Sequence, residues 1–188
     1  VGAFALGVGS KDAVLFADLV PGVYTAVLSG PVGGLGLVEI YDVSRDTGIA
    51  KFTNISARLR VNGNASNAAF VGMAFDGSAN QRQILIRAIG PSLSSFGLLN
   101  GLADPTMTLF NSSGTAVATN DNWNGVAAVA AAFPMVGAFS LAPTAKDSAL
   151  LFSPTLLSVT YTVKVGQAGL INGVPVGGVV LVEAYEVP

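Results

Sequence analysis

The chain contains one set of segments twice, and this duplication restricts how it can fold more than any other feature. The stretch GLGLVEIYDV at residues 34–43 returns as GVVLVEAYEV at residues 178–187. The stretch VGAFALGVGSKDAVLF at residues 1–16 returns as VGAFSLAPTAKDSALLF at residues 136–152. In both copies a Tyr-Thr segment lies between these two markers, so the order of the segments is the same.

The duplication predicts the domain organisation. Residues 1–44 contain only the segments of the second half of a repeat, and we interpret them as a half repeat. Residues 45–188 are interpreted as a full repeat whose closing part matches that half. A chain that begins within a repeat is expected to derive from a longer protein.

The local sequence pattern predicts strands almost throughout. Short runs rich in Val, Leu and Tyr are separated by Pro-Gly or Gly-Gly punctuation, and Ser-Ser-Gly at residues 112–114 marks a hairpin turn. In the half repeat, strands are predicted over residues 12–19, 22–30 and 35–43. One alanine-rich helix is predicted over residues 125–133, ending at Pro134. The predicted fold class is all-β, an antiparallel β-sandwich of jelly-roll type with one and a half repeats and one short helix.

Composition excludes several kinds of chemistry. The chain has no Cys and no His, which excludes disulfides, Cys or His zinc sites, thiol nucleophiles and Ser-His triads. Charged residues make up only 11%, hydrophobic residues 51%, and the mean hydropathy is +0.61. Such a weakly charged chain favours association with other protein surfaces. We predict no cofactor and no enzymatic activity.

Nucleic acid and membrane are not expected partners. The net charge is −2 with nine basic side chains, which leaves no positive footprint for nucleic acid. The charge-free stretch 122–145 is long enough to span a membrane. It contains Gly and Pro residues and many small side chains, so we predict no membrane span.

Two aspartates are candidate calcium ligands. Asp121 stands between two asparagines, and Asp104 lies in ADPT, so both offer the oxygen ligands that calcium takes. Both also lie beside predicted turns, where Asp and Asn form local backbone hydrogen bonds. Since the spacing of a calcium loop is absent, the turn interpretation is favoured.

Trp123 is a candidate for stacking against a sugar ring, together with the tyrosines. The tyrosines occupy repeated positions in apolar strands, which favours packing in a core for them and, less clearly, for Trp123.

A further candidate site is a set of charged residues in apolar strands. Glu39 and Glu183 occupy the same place in the two strand copies, and Arg87 lies in the apolar run ILIRAIG. Paired carboxylates can hydrolyse glycosides. A structural Glu–Arg ion pair is the favoured interpretation, because an acid in an apolar strand needs a partner.

The sequence resembles a known type of repeat. NISARLRV, ILIRAIGPSLSSFGLLNGLADPTMTLFNSSGTAVATNDNW, VGAFSLAPTAKDSALL and LVEAYEV resemble a repeat of large secreted and surface proteins of environmental bacteria, notably Verrucomicrobia and Planctomycetes. The hairpin and NDNW segment is loosely similar to pre-peptidase C-terminal domains. The chain departs from the repeat by starting at VGAF and by a longer insert, GQAGLINGVPVGG. The resemblance implies an extracellular or cell-surface location and tandem architecture, and it carries no catalytic residues.

The half repeat poses the functional question. Three strands cannot bury both faces of a sheet or satisfy its edges, so residues 1–44 need sandwich surface from elsewhere. That surface is either the middle of the same chain or another molecule. We predict a secreted, non-enzymatic subunit that assembles head to tail with identical subunits, through strand contacts, into a filament or surface layer. The alternatives are a carbohydrate-binding or adhesion module of a larger surface protein, which binds glycans, and an appendage of a secreted hydrolase.

Overall fold

The chain divides into two units, Val1–Phe52 and Thr53–Pro188. The computed structural model describes residues 3–30, 34–43, 52–62, 68–75, 83–154, 160–170, 172–174 and 176–188.

The second unit is built from antiparallel strands. Its strands are β1 (Asn54–Val61), β2 (Ala69–Ala74), β3 (Gln83–Ile89), β4 (Pro105–Asn111), β5 (Ala116–Asn120), β6 (Ser148–Phe152), β7 (Thr160–Gln167) and β8 (Gly178–Val187). They form two four-stranded sheets, ordered β1-β8-β3-β6 and β2-β7-β4-β5, and every neighbouring pair is antiparallel. Two short helices accompany them, α1 (Ala127–Met135) and a 3-10 helix (Pro91–Phe96). The prediction of an all-β antiparallel sandwich is confirmed.

An inner core lies between the two sheets. Alternate residues of strands in both sheets point into it, as expected for strands whose side chains alternate between faces. The first sheet contributes Ile86 and Val182, and the second contributes Leu109 and Val163, all of which are at most 1% exposed.

An outer core covers the opposite face of the first sheet. Leu85 and Ile89 of β3 and Tyr185 of β8 pack there against Phe133 of α1 and Leu93 of the 3-10 helix. Because β3 is covered on both faces, its sequence QILIRAI is apolar at nearly every position instead of alternating. The first sheet is therefore the middle of three layers.

The predicted hairpin joins β4 and β5. The side-chain oxygen of Asn111 accepts hydrogen bonds from the amides of Ser113 and Thr115 at 3.1 and 2.9 Å, and Gly114 adopts a φ of 75°. Asn and Gly are favoured there because one can close the turn through its side chain and the other tolerates positive φ.

The helix lies slightly further along the chain than predicted. It spans Ala127–Met135 and carries Pro134 in its last turn, whereas the sequence predicted an end before that proline. Burial of Val129, Ala132 and Phe133 stabilises this turn, although the proline removes one backbone N–H donor from it. Among the described residues, no helix has the length and apolarity needed to cross a membrane.

The first unit differs from its prediction. Over residues 3–30 and 34–43 the structure contains no strand, and all of these residues are exposed. The sequence predicted three strands there. An apolar strand pattern yields a sheet only when neighbouring strands complete the ladder of hydrogen bonds and cover its faces. The described residues of this unit provide no such cover.

Three glycines bring three segments of the second unit into close backbone contact. A Cβ placed on Gly178, the first residue of β8, would lie 2.6 Å from the backbone of Leu102. Gly90 and Gly101 meet in the same place, where a Cβ on Gly101 would lie 2.2 Å from the carbonyl oxygen of Gly90. The start of β8 therefore has no room for a side chain.

We expect Gly178→Ala to destabilise the second unit by about 1–3 kcal/mol, the usual cost of forcing an atom into a filled space. Gly166→Ala is the matched control, because a Cβ there would meet only Thr106 Cγ2 at 3.8 Å. Its effect should stay below about 1 kcal/mol. Chemical denaturation of both variants measures the difference, and equal effects would contradict the close approach.

Candidate functional site

The second unit consists of two interleaved halves. We call residues 53–135, with β1 to β5 and α1, the opening half, and residues 136–188, with β6 to β8, the closing half. β8 lies between β1 and β3, β7 lies between β2 and β4, and β6 pairs with β3. Five of the six strand pairings thus join the two halves, and only β4 with β5 stays within one. Neither half alone contains a complete sheet, so the contact between them is the central feature of this fold.

A buried ion pair links the halves across the first sheet. Arg87 on β3 lies directly opposite Glu183 on β8 and is 0% exposed. Its Nε and Nη2 donate hydrogen bonds to Glu183 Oε2 at 2.9 and 2.5 Å, and Nη1 donates to the carbonyl oxygen of Phe139 at 2.6 Å. Tyr185 Oη donates to the other carboxylate oxygen of Glu183 at 2.7 Å. A buried charge pair is tolerated where its remaining hydrogen-bonding groups are satisfied in this way.

Aromatic rings enclose the guanidinium group. Its central carbon lies 4.4 Å from the ring centre of Phe139, 5.1 Å from that of Phe133 and 5.8 Å from that of Tyr185, within the range of cation–π attraction. Burial raises the pKa of Tyr185, and its hydrogen bond to the Glu183 carboxylate raises that pKa further. The tyrosine therefore remains a hydrogen-bond donor at neutral pH.

Asp147 forms a second buried link between the halves. It is 0% exposed, and its Oδ1 accepts hydrogen bonds from the amides of Gly90 and Ser92 at 2.8 and 3.3 Å. Its Oδ2 accepts one from Ser92 Oγ at 2.5 Å. The closing half thus fixes the turn that connects β3 to the 3-10 helix.

Lys146 forms a third link, next to the candidate calcium ligands. Its ammonium group donates a hydrogen bond to Asp104 Oδ2, and that bond raises the pKa of Lys146. Asp121 contributes a weaker attraction to the same ammonium and accepts a hydrogen bond from Asn122 Nδ2 at 3.2 Å. The described residues contain no cluster of three acidic side chains suited to a metal ion. The positive group next to the Asp104 carboxylate is the ammonium group of Lys146.

Trp123 lies in the outer core. Only 2% of it is exposed, its Nε1 donates a hydrogen bond to the carbonyl oxygen of Ala142 at 2.9 Å, and its ring packs on Phe133. Tyr161 and Tyr185 are also buried. In this structure the ring of Trp123 therefore offers no face to solvent on which a sugar could stack.

Glu39 does not share the partner of its copy. Arg87 pairs with Glu183, whereas Glu39 lies in the exposed first unit and accepts a hydrogen bond from Tyr41 Oη at 3.0 Å. This bond raises the pKa of Tyr41. Tyr41 and Glu39 repeat the Tyr185–Glu183 contact, so the first unit reproduces the carboxylate site without the arginine.

Sequence reasoning missed the roles of Lys146 and Asp147. The signal was present, because Lys-Asp occurs at residues 11–12 and again at residues 146–147. A charged dipeptide repeated within otherwise apolar segments indicates a contact that both copies need. The buried polar groups described above bond to one another, so they serve to hold the two halves together.

Two comparisons with known proteins place the chain in no family. A scan against protein-family models finds no match for the chain, and a search of curated proteins finds none either.

Removing one member of the buried pair should leave the other charge unsatisfied. We expect Arg87→Met to lower the free energy of unfolding by about 3–5 kcal/mol, and Arg87→Met with Glu183→Leu to recover part of that loss. Arg58→Met on the exposed face of β1 is the matched control, with an effect of about 0.5 kcal/mol or less. Denaturant unfolding of these variants provides the test. A single variant as stable as the control would show that the pair does not join the halves.

Proposed function

We propose that this protein is a non-enzymatic structural subunit of an extracellular filament or surface layer. Its neighbours are held by β-strand contacts, and residues 3–43 make the contact. In the simplest version the neighbour is an identical subunit in a head-to-tail arrangement. Such a contact need not close into a ring, so it can continue into a fibre.

One observation carries this proposal. Of the 27 exposed large apolar side chains that the structure describes, 18 lie in residues 3–43. Leu15, Val23 and Leu35 are 90%, 100% and 105% exposed. Leaving a side chain of this kind in water forgoes about 1.5–3 kcal/mol relative to burial. Since apolar surface of this extent is typical of an interaction site, a protein neighbour is the simplest cover for it.

The strand pattern supports contact by strand pairing. Residues 3–43 have the sequence of three strands, but the described residues 3–30 and 34–43 form no ladder. A strand edge without a neighbour readily accepts another chain. Strand addition combines backbone hydrogen bonds with burial of alternate side chains. The low charge of the chain adds little repulsion between neighbours.

Leu15→Asn should weaken self-association of the full chain by about tenfold or more, as loss of one buried leucine predicts. Leu99→Asn is the matched control, because Leu99 is 87% exposed and lies in the second unit. Sedimentation velocity over a range of concentrations measures both variants. We expect the control to associate as the unchanged chain does.

Removal of residues 1–43 provides the complementary test. Both core clusters lie entirely within Thr53–Pro188, so the shortened chain should keep its sandwich and lose its ability to assemble. A full chain that stays monomeric at high concentration would contradict the proposal, and so would a shortened chain that assembles equally well.

A further inference from the structure

Residues 3–43 match the closing half of the sandwich segment by segment. Residues 13–17 correspond to β6, residues 23–30 to β7 and residues 34–43 to β8, in the same order. The chain contains no second set of segments that corresponds to the opening half, residues 53–135. In the second unit, β6, β7 and β8 pair only with strands of the opening half and never with one another. Three such strands therefore cannot form a sheet among themselves in the native arrangement.

The side chains that form polar links between the halves recur in the first unit. Lys146, which bonds Asp104, corresponds to Lys11, and Asp147, which fixes the turn after β3, corresponds to Asp12. The next residue differs between the two copies, because Ala13 stands at the position of the buried Ser148.

The arginine-binding side chains recur as well. Glu183 and Tyr185 correspond to Glu39 and Tyr41. Phe139, whose ring lies 4.4 Å from the guanidinium carbon of Arg87, corresponds to Phe4. Tyr41 already donates its hydrogen bond to Glu39, as Tyr185 does to Glu183. The first unit thus contains counterparts of the residues of the closing half that contact Arg87.

A glycine provides an independent observation. Gly178 must lack a side chain because it touches the backbone of Leu102 in the opening half, and its counterpart is Gly34. A Cβ on Gly34 would meet nothing within 4 Å among the described residues. These residues therefore give no steric reason for glycine at this position, whereas docking against an opening half does.

The apolar positions also fit a sandwich interior. Val165 and Val180 both face the inner core, and their counterparts are Leu28 and Gly36. A larger and a smaller side chain thus replace two of middle size. Leu28 Cδ2 lies 2.5 Å from the place where a Cβ on Gly36 would stand, so the leucine occupies the space that the glycine leaves. Complementary volumes of this kind are typical of residues that share one core.

We propose that residues 3–43 are the closing half of a second sandwich and bind a partner segment with the chemistry of residues 53–135. This inference rests on the proposed function and names the surface that the first unit contacts. The partner carries a buried arginine for Glu39, a Gly-Pro-Ser turn for Asp12 and a carboxylate for Lys11. Its own closing half is absent.

The opening half of residues 53–135 is already filled by β6, β7 and β8. The segment that residues 3–43 bind is therefore a vacant opening half.

The experiment supplies such a half within one polypeptide. An extended chain carries a second copy of residues 53–135 ahead of the full 188-residue chain, with Met135 joined directly to Val1. The junction reproduces the existing one, because Val-Gly-Ala-Phe follows Met135 in both cases. Hydrogen exchange read by mass spectrometry follows the amides of residues 34–43, whose sequence distinguishes them from residues 178–187. We expect their exchange to slow by about a hundredfold or more relative to the unextended chain, as in a core strand.

Two variants of the extended chain test the named contacts. Gly34→Val should abolish most of the protection of residues 34–43, and Glu39→Gln should reduce it by about tenfold or more, the scale of an unpaired buried arginine. Asp18→Asn is the matched control for loss of one carboxylate. It should have no effect, because the corresponding Ser153 is exposed. In the unextended chain, Gly34→Val should leave exchange unchanged.

The outcomes separate this inference from the proposed function. Residues 34–43 that exchange equally fast with and without the added segment would overturn the inference, whatever the 188-residue chain does in solution. Protection that survives both Gly34→Val and Glu39→Gln would also overturn it. Failure of the 188-residue chain to self-associate would contradict only the assembly of identical subunits, since the extended chain needs no second molecule.

Discussion

The fold depends on the insertion of β8 between β1 and β3, which places Glu183 opposite Arg87. This pairing connects two halves that are far apart in sequence and individually incomplete. The ion pair adds little stability beyond what apolar residues of similar volume would supply. Its importance lies in register, because a shift of β8 by one residue would turn Glu183 into the inner core and leave Arg87 without a partner. Gly90 after β3 and Gly178 at the start of β8 restrict the same alignment, because neither position has room for a side chain.

The sequence was sufficient for the fold class because strand periodicity and turn residues are local signals. Alternation along β1 and the Ser-Ser-Gly turn after Asn111 lead directly to antiparallel strands. The association of Arg87 with a glutamate followed from the cost of an unpaired charge among apolar residues. Its complete burial did not follow, because it depends on α1 and Phe139 covering the outer face of the first sheet.

Other features depended on tertiary structure that periodicity cannot supply. The sequence around Trp123 is compatible with a ligand-binding platform. Only the packing of the third layer shows that its ring is buried. The strand pattern of residues 3–43 is as strong as that of β6 to β8, yet no strand forms over the described residues there. The sequence pattern indicates which side chains a strand would bury, whereas the strand itself forms only next to another strand. Similar sequences thus adopt different structures in the two units.

This contrast explains why one protein contains both a closed sandwich and an exposed copy of half of it. Residues 3–43 repeat most of the side chains by which residues 136–188 hold the opening half, with Ala13 in place of Ser148 as an exception. They also repeat the glycine at the start of β8. If residues 3–43 dock as proposed, they join polypeptides through the same contacts that close the sandwich. Specificity would then come from the buried arginine, because a partner without it would leave Glu39 desolvated and unpaired.

Electron cryo-microscopy of the proposed assembly tests this account most directly, at a resolution that shows side chains around residues 34–43. The account predicts that these residues form a strand between two strands of an opening half, with the Glu39 carboxylate within hydrogen-bonding distance of an arginine guanidinium from that half. Residues 34–43 without strand neighbours, or a Glu39 carboxylate open to solvent in the assembly, would contradict it.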